Sequence, residues 1–228
     1  MDNGIRIGVL VSGSGSNLQA IIDACRSNRI NGRVVFVGSD NPNAHGLSRA
    51  RENDIPTVVT DYKSILASLE PDTLATRIPR DFDADKVLAS QRITSDAWDR
   101  AKQVTYLSKR AVAEAVLLQD MAAYEFDLLV LAGFMRVLSP YFIDRVNTVP
   151  DRPRIMNIHP ALLPAFPGVD GYGDTFRYGC KVAGCTVHFV DYGEDTGPII
   201  GQRAFDILPR DTLEAVREKG LRLEWELY

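Results

Sequence analysis

An α/β fold with a doubly wound, mostly parallel sheet is what this sequence predicts, and three observations carry that expectation. Short apolar, β-branched runs recur at Ile5 to Val11, Val34 to Val37 and Thr57 to Thr60, as strands covered on both faces require. Helical spacing of apolar residues fills the intervals, giving a βαβαβ rhythm. The chain has 228 residues, 45% hydrophobic and 25% charged, enough for one large domain or two small ones around a substantial core.

Composition narrows the function classes. Net charge is −4 and the isoelectric point about 5.4, which argues against nucleic-acid binding, where a basic face is expected. A local patch that holds a phosphate is still compatible with it. Cys25, Cys180 and Cys185 are odd in number and lack CxxC spacing, so a disulfide framework is not expected and a reducing cytosol is. Met1-Asp2-Asn3-Gly4 runs straight into a strand with no basic-then-apolar leader, and no run of about 18 apolar residues exists to span a membrane. His45, His159 and His188 lack HxH or HExxH spacing, so no metal site is expected.

Ile5 to Val11 leads into Ser12-Gly13-Ser14-Gly15-Ser16-Asn17, after which Leu18, Ile21, Ile22 and Cys25 recur at helical spacing. Strand, small polar loop and helix make the layout of a phosphate-binding turn, where glycines admit the backbone and free amides face an anion. The spacing is neither GxGxxG nor the Walker form, so neither a dinucleotide nor a nucleoside triphosphate is indicated. A plain tight turn with Ser16 or Asn17 as N-cap is the simpler account, but four small polar residues exceed what a cap needs.

Val34 to Val37 ends at Ser39-Asp40-Asn41-Pro42, Leu47 to Asn53 reads as a helix with His45 in the loop before it, and Thr57 to Thr60 is a third strand. Lys63 to Gln103 reads only as helical pieces and loop, an insertion without an assignable job. Val104 to Tyr124 returns to an amphipathic helix, with Leu107, Ala111, Ala115 and Leu118 on one stripe. Phe126 to Ala132 is a buried strand. At its C-terminal end lie Gly133-Phe134-Met135-Arg136-Val137-Leu138, where ligands sit in open α/β sheets. That apolar lip suits a flat ring system, and core packing explains it equally well.

The chemistry concentrates in Ile155 to Gly168, IMNIHPALLPAFPG. A short apolar run gives way to Pro160, Pro164 and Pro167, which hold the following backbone extended. Asn157 and His159 are two apart and share a face on a strand. An amide donor beside an imidazole can stabilise an oxyanion and move a proton. Val169 to Tyr178 reads as a flexible, Gly-rich aromatic loop or lid. Cys185 to Val190 and Ile199 to Phe205 read as strands, and Thr212 to Leu227 as a closing helix with Asp211 as N-cap. Asp195, in Gly-Glu-Asp-Thr-Gly, has the reach to fix the His159 tautomer and favour its cation, although a solvated turn is the simpler account. His188, mid-strand between Val187 and Phe189, is expected to be structural. No nucleophile elbow or activated cysteine is present, which favours direct attack by a substrate amine.

Four segments together resemble the phosphoribosylglycinamide formyltransferase family: GVLVSGSGSNLQAII (Gly8 to Ile22), VLAGFMRVLSP (Val130 to Pro140), MNIHPALLPAFPG (Met156 to Gly168) and GCTVHFVDYGEDTGPII (Gly184 to Ile200). The NIHPxLLP and DTGP elements are shared with other formyltetrahydrofolate enzymes, and the SGSGSNLQ turn discriminates. The resemblance implies a single domain over residues 1–228 with the Rossmann-like formyltransferase fold. Its ribonucleotide-binding half would be about 1–125, its folate-binding and catalytic half about 126–228, and the insertion about 63–103. It implies that Gly15, Ser16 and Asn17 hold the phosphate of glycinamide ribonucleotide and that Glu224 contacts the same substrate. Met135, Arg136, Val137 and Leu138 would line the pterin pocket for the co-substrate 10-formyltetrahydrofolate, with Asn157 beside it. Arg110 would contact the folate if the alignment up to Met135 is ungapped. Asn157, His159 and Asp195 would be catalytic, with no metal, no nucleic acid and no membrane involved. The expected protein is a cytoplasmic monomer or homodimer of purine synthesis.

Two rival functions keep much of the same residue set. A formyltetrahydrofolate hydrolase needs His159 and Asp195 but no phosphate turn. A folate sensor on the same fold needs no catalytic trio. The sequence also departs from the family in three ways: the long Lys63 to Gln103 stretch, Asp170 and Tyr172 where many members carry histidines, and an ending at the last helix.

Overall fold

The structure, a computed structural model, describes residues 4–228. β1 (Ile5–Val11) and α1 (Ser16–Arg26) are followed by β2 (Gly32–Ser39), α2 (His45–Glu52) and β3 (Thr57–Val59). Three short helices, α3 (Tyr62–Ala67), α4 (Pro71–Arg77) and α5 (Ala84–Ser90), precede the long α6 (Arg100–Met121). Then come β4 (Leu128–Leu131), α7 (Pro140–Val146), β5 (Ile155–His159), α8 (Gly171–Tyr178), β6 (Val182–Phe189), β7 (Ile199–Asp206) and α9 (Leu213–Leu227).

These strands form one sheet in the order β3-β2-β1-β4-β5-β6-β7. The first five are parallel, while β6 runs antiparallel to both β5 and β7. The chain starts at β1, winds outward to β3, then returns to β4 on the other side of β1. That reversal opens a crevice at the C-terminal ends of β1 and β4. Alternation along the strands divides the core. Ile7, Val9 and Val11 pack with Leu18, Ile21 and Leu47 from α1 and α2. Leu10, Phe36 and Leu129 pack with Leu117, Phe142 and Ile143 from α6 and α7. The doubly wound expectation therefore holds, and the first five strands explain why their sequences lack a polar face.

Several local expectations are corrected. Val169 to Tyr178 is not a loop: α8 occupies Gly171–Tyr178, with Asp170 capping Gly173 N and Gly179 ending the helix at φ 88. Its aromatic Tyr172 is buried, which is what orders so Gly-rich a segment. Neither Ser16 nor Asn17 caps α1. Gly15 holds the N-cap position at φ 69 with no side-chain cap bond. Thr212, not Asp211, caps α9 by accepting from Ala215 N. Asp211 instead accepts from Leu208 N and pairs with Lys219. His45 opens α2 rather than preceding it, and is exposed. The long helix begins earlier than its apolar stripe suggests because Asp99 caps it through Lys102 N. No helix among the described residues is long and apolar enough to cross a membrane.

One buried polar contact ties α9 to the sheet. Tyr228, which follows α9, has its hydroxyl 3.0 Å from the Leu131 carbonyl oxygen and 3.1 Å from that of Met156. It therefore donates into the junction between β4 and β5. Tyr228→Phe leaves the ring in place and removes the donor those two oxygens share. The expected loss is about 1–3 kcal/mol of unfolding free energy, read by urea denaturation with an unchanged slope.

Candidate active site

The crevice predicted by the strand order contains a cavity of ≈ 300 Å³. It is lined by Asn17 from α1, by Gly133 to Leu138 after β4, by Asn157 to Pro160 from the end of β5, by His188 on β6, by Gly193 to Asp195 after β6, and by Glu224 on α9. Residues spread over the whole sequence thus meet at one place. Of the residues singled out from sequence, Asn157, His159, Asp195, Asn17, Glu224, Met135, Arg136, Val137 and Leu138 line it. Gly15, Ser16 and Arg110 do not.

His159 is buried, and both of its ring nitrogens face oxygen. Nδ1 lies 3.1 Å from Asp195 Oδ2, and Nε2 lies 2.8 Å from the Phe166 carbonyl oxygen. Both oxygens are acceptors, so an imidazole bearing two N–H groups satisfies both contacts. Asp195 sits at φ 54, a left-handed conformation that turns its side chain back over β5. Its Oδ2 also accepts from Gly168 N at 2.9 Å. Burial pushes the Asp195 carboxyl up, but the approach of His188, the Gly168 N–H and the attraction of both imidazoles outweigh it. The net position is below the usual carboxylate range.

His188 is the residue that sequence reading set aside. β5 and β6 pair with Asn157 directly opposite His188, so the two side chains share a face. His188 Nδ1 faces the Phe189 carbonyl oxygen at 2.9 Å and so carries a proton. Its Nε2 lies 3.4 Å from Asn157 Nδ2 and 3.6 Å from Asp195 Oδ1. The longer contact exceeds hydrogen-bond reach, so it is an approach of the ring edge to the Asp195 carboxylate rather than a hydrogen bond. Only the strand register reveals this neighbour.

The lip after β4 is fixed by a polar network across the crevice. Ser12 Oγ accepts from Met135 N at 2.8 Å and donates to Asp40, and Arg136 Nε pairs with the other Asp40 oxygen. Behind the lip, Ser139 is anchored by the buried Glu114 of α6, which accepts from Ser139 N at 2.8 Å and from its hydroxyl. Met135 is 61% exposed, so its apolar side chain is presented rather than packed, against the core-packing alternative for that position. Leu138 and Phe134 are buried and do belong to the core. Arg110 lies on α6, bonded to the Tyr106 hydroxyl at 2.8 Å, with its buried Nε unpaired.

At the other end of the cavity, Glu224 accepts from Asn17 Nδ2 and from the Tyr172 hydroxyl, each at 2.8 Å. Burial raises its carboxyl while those two bonds pull the other way. The uncapped start of α1 leaves its first amides without a side-chain partner. A Cβ on Gly15 would lie 2.6 Å from Gly46 Cα, so the turn brings α1 and α2 into backbone contact. Arg49 of α2 donates to the Ser14 carbonyl oxygen at 2.9 Å, which sets a cation beside the turn that no motif marks.

The stretch left without a job reaches the loop that carries Asp195. Arg92, after α5, bridges Gly193 in parallel and donates its backbone N–H to the Tyr192 carbonyl oxygen at 2.8 Å. Tyr192 bonds Asp144 of α7, which also pairs with Lys86 of α5. Lys63 to Gln103 is therefore helical pieces, α3 to α5, joined by loops, with Leu69, Leu74 and Val87 buried against the rest of the fold.

These features place the chain in a recognised group: residues 5–228 match the formyl transferase family, and the chain belongs to it. It is 32% identical over 223 residues to the phosphoribosylglycinamide formyltransferase of Bacillus subtilis, covering 98% of this chain and 90% of that protein. It is 38% identical over 216 residues to the trifunctional purine biosynthetic protein adenosine-3 of Drosophila melanogaster, of which it spans 12% of the length. The glycinamide ribonucleotide transformylase 1 of Symbiobacterium toebii superimposes with a TM-score of 0.71 at 38% identity, over 99% of this chain and 84% of that one.

The contact of Arg92 with the Asp195 loop can be cut by one substitution. Gln91 sits at φ −71, ψ 153, a conformation that tolerates a following proline. Arg92→Pro removes the donor to Tyr192 and should lower turnover about tenfold, with little change in far-UV circular dichroism. An unchanged rate constant would mean the loop holds Asp195 unaided.

Proposed function

We propose that this chain transfers a formyl group from 10-formyltetrahydrofolate to the amine of glycinamide ribonucleotide, a step of purine synthesis. The observation that carries the reading is the convergence of Asn157, His159 and Asp195 on one cavity. That cavity has an apolar lip at one end and Asn17 with Glu224 at the other. Two substrates of different character need such a two-ended site.

The folate ring lies against Met135 to Leu138, and the formyl-bearing nitrogen N10 reaches Asn157 and His159. The phosphate meets the amides of Gly15, Ser16 and Asn17, and the ribose hydroxyls meet Glu224. Arg110, on α6 outside the cavity, serves the distal carboxylates of the folate. The glycinamide amine attacks the formyl carbon and forms a tetrahedral intermediate. Its oxyanion accepts from the Asn157 amide and from His159. Asp195 holds the Nδ1 proton of His159, and the Nε2 proton, which meets the Phe166 carbonyl oxygen, exchanges acceptors. A proton passes from the amine nitrogen to N10, the C–N10 bond breaks, and formylglycinamide ribonucleotide and tetrahydrofolate leave. None of these steps calls on a metal, and both substrates belong to the cytoplasm.

The hydrolase and sensor readings predict different measurements. An absorbance assay with 10-formyl-5,8-dideazafolate should give signal only when glycinamide ribonucleotide is present. His159→Ala should lower kcat about 10²–10³-fold. Folate turnover without the ribonucleotide would point to a hydrolase, and folate binding without turnover to a sensor.

A further inference from the structure

We propose that Tyr172 is a positioning residue of the ribonucleotide end of the site: its buried hydroxyl orients the Glu224 carboxylate and keeps it an acceptor for ligand hydroxyls. The inference rests on the formyl-transfer reading, which puts the ribose at Glu224. It goes beyond that reading by giving work to a buried tyrosine that no step of the proposed transfer uses.

The carboxylate is held from two sides. Asn17 Nδ2 donates to Oε2 and the Tyr172 hydroxyl to Oε1, both at 2.8 Å. Each oxygen keeps a lone pair for a ligand that enters the cavity Glu224 lines. Glu224 is 7% exposed and Tyr172 6%, so little water is available to either. The groups facing the carboxylate are Asn17 from α1, Tyr172 from α8, Cys185 from β6, His159 from β5 and Tyr228 at the end of α9 itself. Among the described residues no lysine or arginine pairs with it. An amide and a hydroxyl therefore take the place of water around a buried charge.

The surrounding structure is shaped to admit that hydroxyl. Gly220 lies one turn before Glu224 on α9, and a Cβ there would fall 2.1 Å from Tyr172 Cζ and 2.3 Å from its oxygen. Glycine inside a helix is unfavourable relative to alanine, so its presence at this contact is informative. Asp170, which caps α8, also pairs with Arg217 of α9 at 2.9 Å and docks the two helices together. A tyrosine needed only for packing beside Phe205 would use its ring and leave the hydroxyl idle.

The sign of the effect follows from the chemistry. Removing a donor that stabilises the anion makes Glu224 take up a proton at higher pH. The test measures pH profiles of kcat/KM for glycinamide ribonucleotide in wild type, Tyr172→Phe, Gly220→Ala and Glu224→Gln. Tyr172→Phe should raise KM for the ribonucleotide about tenfold and move the acid limb up by about one pH unit, with KM for the formyl donor unchanged. In the Glu224→Gln background the same substitution should move no limb. A wild-type KM and profile in Tyr172→Phe, or an equal shift without Glu224, would overturn the proposal. Should Tyr172→Phe not fold, Gly220→Ala decides by the same readouts, because alanine favours the helix while displacing the ring. Should wild type make no ribonucleotide-dependent product, the formyl-transfer reading fails, and calorimetric dissociation constants of the ribonucleotide across pH decide the role of Tyr172 separately.

Discussion

The antiparallel pairing of β6 with β5 is the constraint on which the site depends. Every strand from β3 to β5 is parallel, and a sheet continued that way would place β6 alongside β5 in the same direction, with the evenly slanted bonds of a parallel ladder. Reversing direction instead brings β6 directly beside β5, with Asn157 opposite His188 and His159 opposite Thr186. The period of two along β5 then places Asn157, His159 and His188 on one face. A slip of one residue would send this set to the far side of the sheet. The register is secured beneath the site by Thr186, whose hydroxyl accepts from Leu163 N at 3.0 Å and donates to the Ala161 carbonyl oxygen at 2.7 Å.

Given that register, Asp195 completes the group by a backbone conformation rather than by a strand. A non-glycine residue at φ 54 is sparsely populated unless its surroundings fix it. Here the Gly168 amide and the His159 imidazole converge on the same carboxylate oxygen. Arg92 holds the loop from outside. The carboxylate stays ionised because donors and imidazoles surround it, not because water does. The same low-dielectric setting strengthens its hold on His159.

Much of this was legible in the sequence, and the remainder was hidden for physical reasons. Short apolar runs separated by helical periods specify parallel strands well, so β1, β2, β3 and β4 and the crevice at their ends could be expected. Asn157 and His159 were legible because strand periodicity alone puts them together. His188 was not, since a histidine between Val187 and Phe189 looks the same whether its neighbour is a core leucine or Asn157; only pairing distinguishes them. The helix α8 was hidden because Gly171 and Gly173 argue for a loop, and what overrides that propensity is tertiary: the burial of Tyr172 and the docking of Asp170 on Arg217. The pieces α3 to α5 are six or seven residues each, too short for a periodic signal, and their order comes from packing on α6.

The two ends of the cavity meet the same problem, a buried carboxylate, in different ways. Asp195 has imidazoles beside it, and its carboxyl falls below the usual range. Among the described residues Glu224 has only neutral donors in bonding contact, and its carboxyl is raised. On the proposed mechanism, a carboxylate flanked by imidazoles suits the end where charge develops, because it holds the Nδ1 side of the His159 ring in place. A carboxylate held by an amide and a hydroxyl keeps its acceptor strength without a permanent partner, which suits recognition of hydroxyl groups that arrive and leave. A cation at Glu224 would compete with those hydroxyls for its lone pairs, and a neutral environment at Asp195 would leave His159 without a fixed tautomer. On the proposed mechanism, this division of partners between the two carboxylates separates chemistry from binding within one crevice.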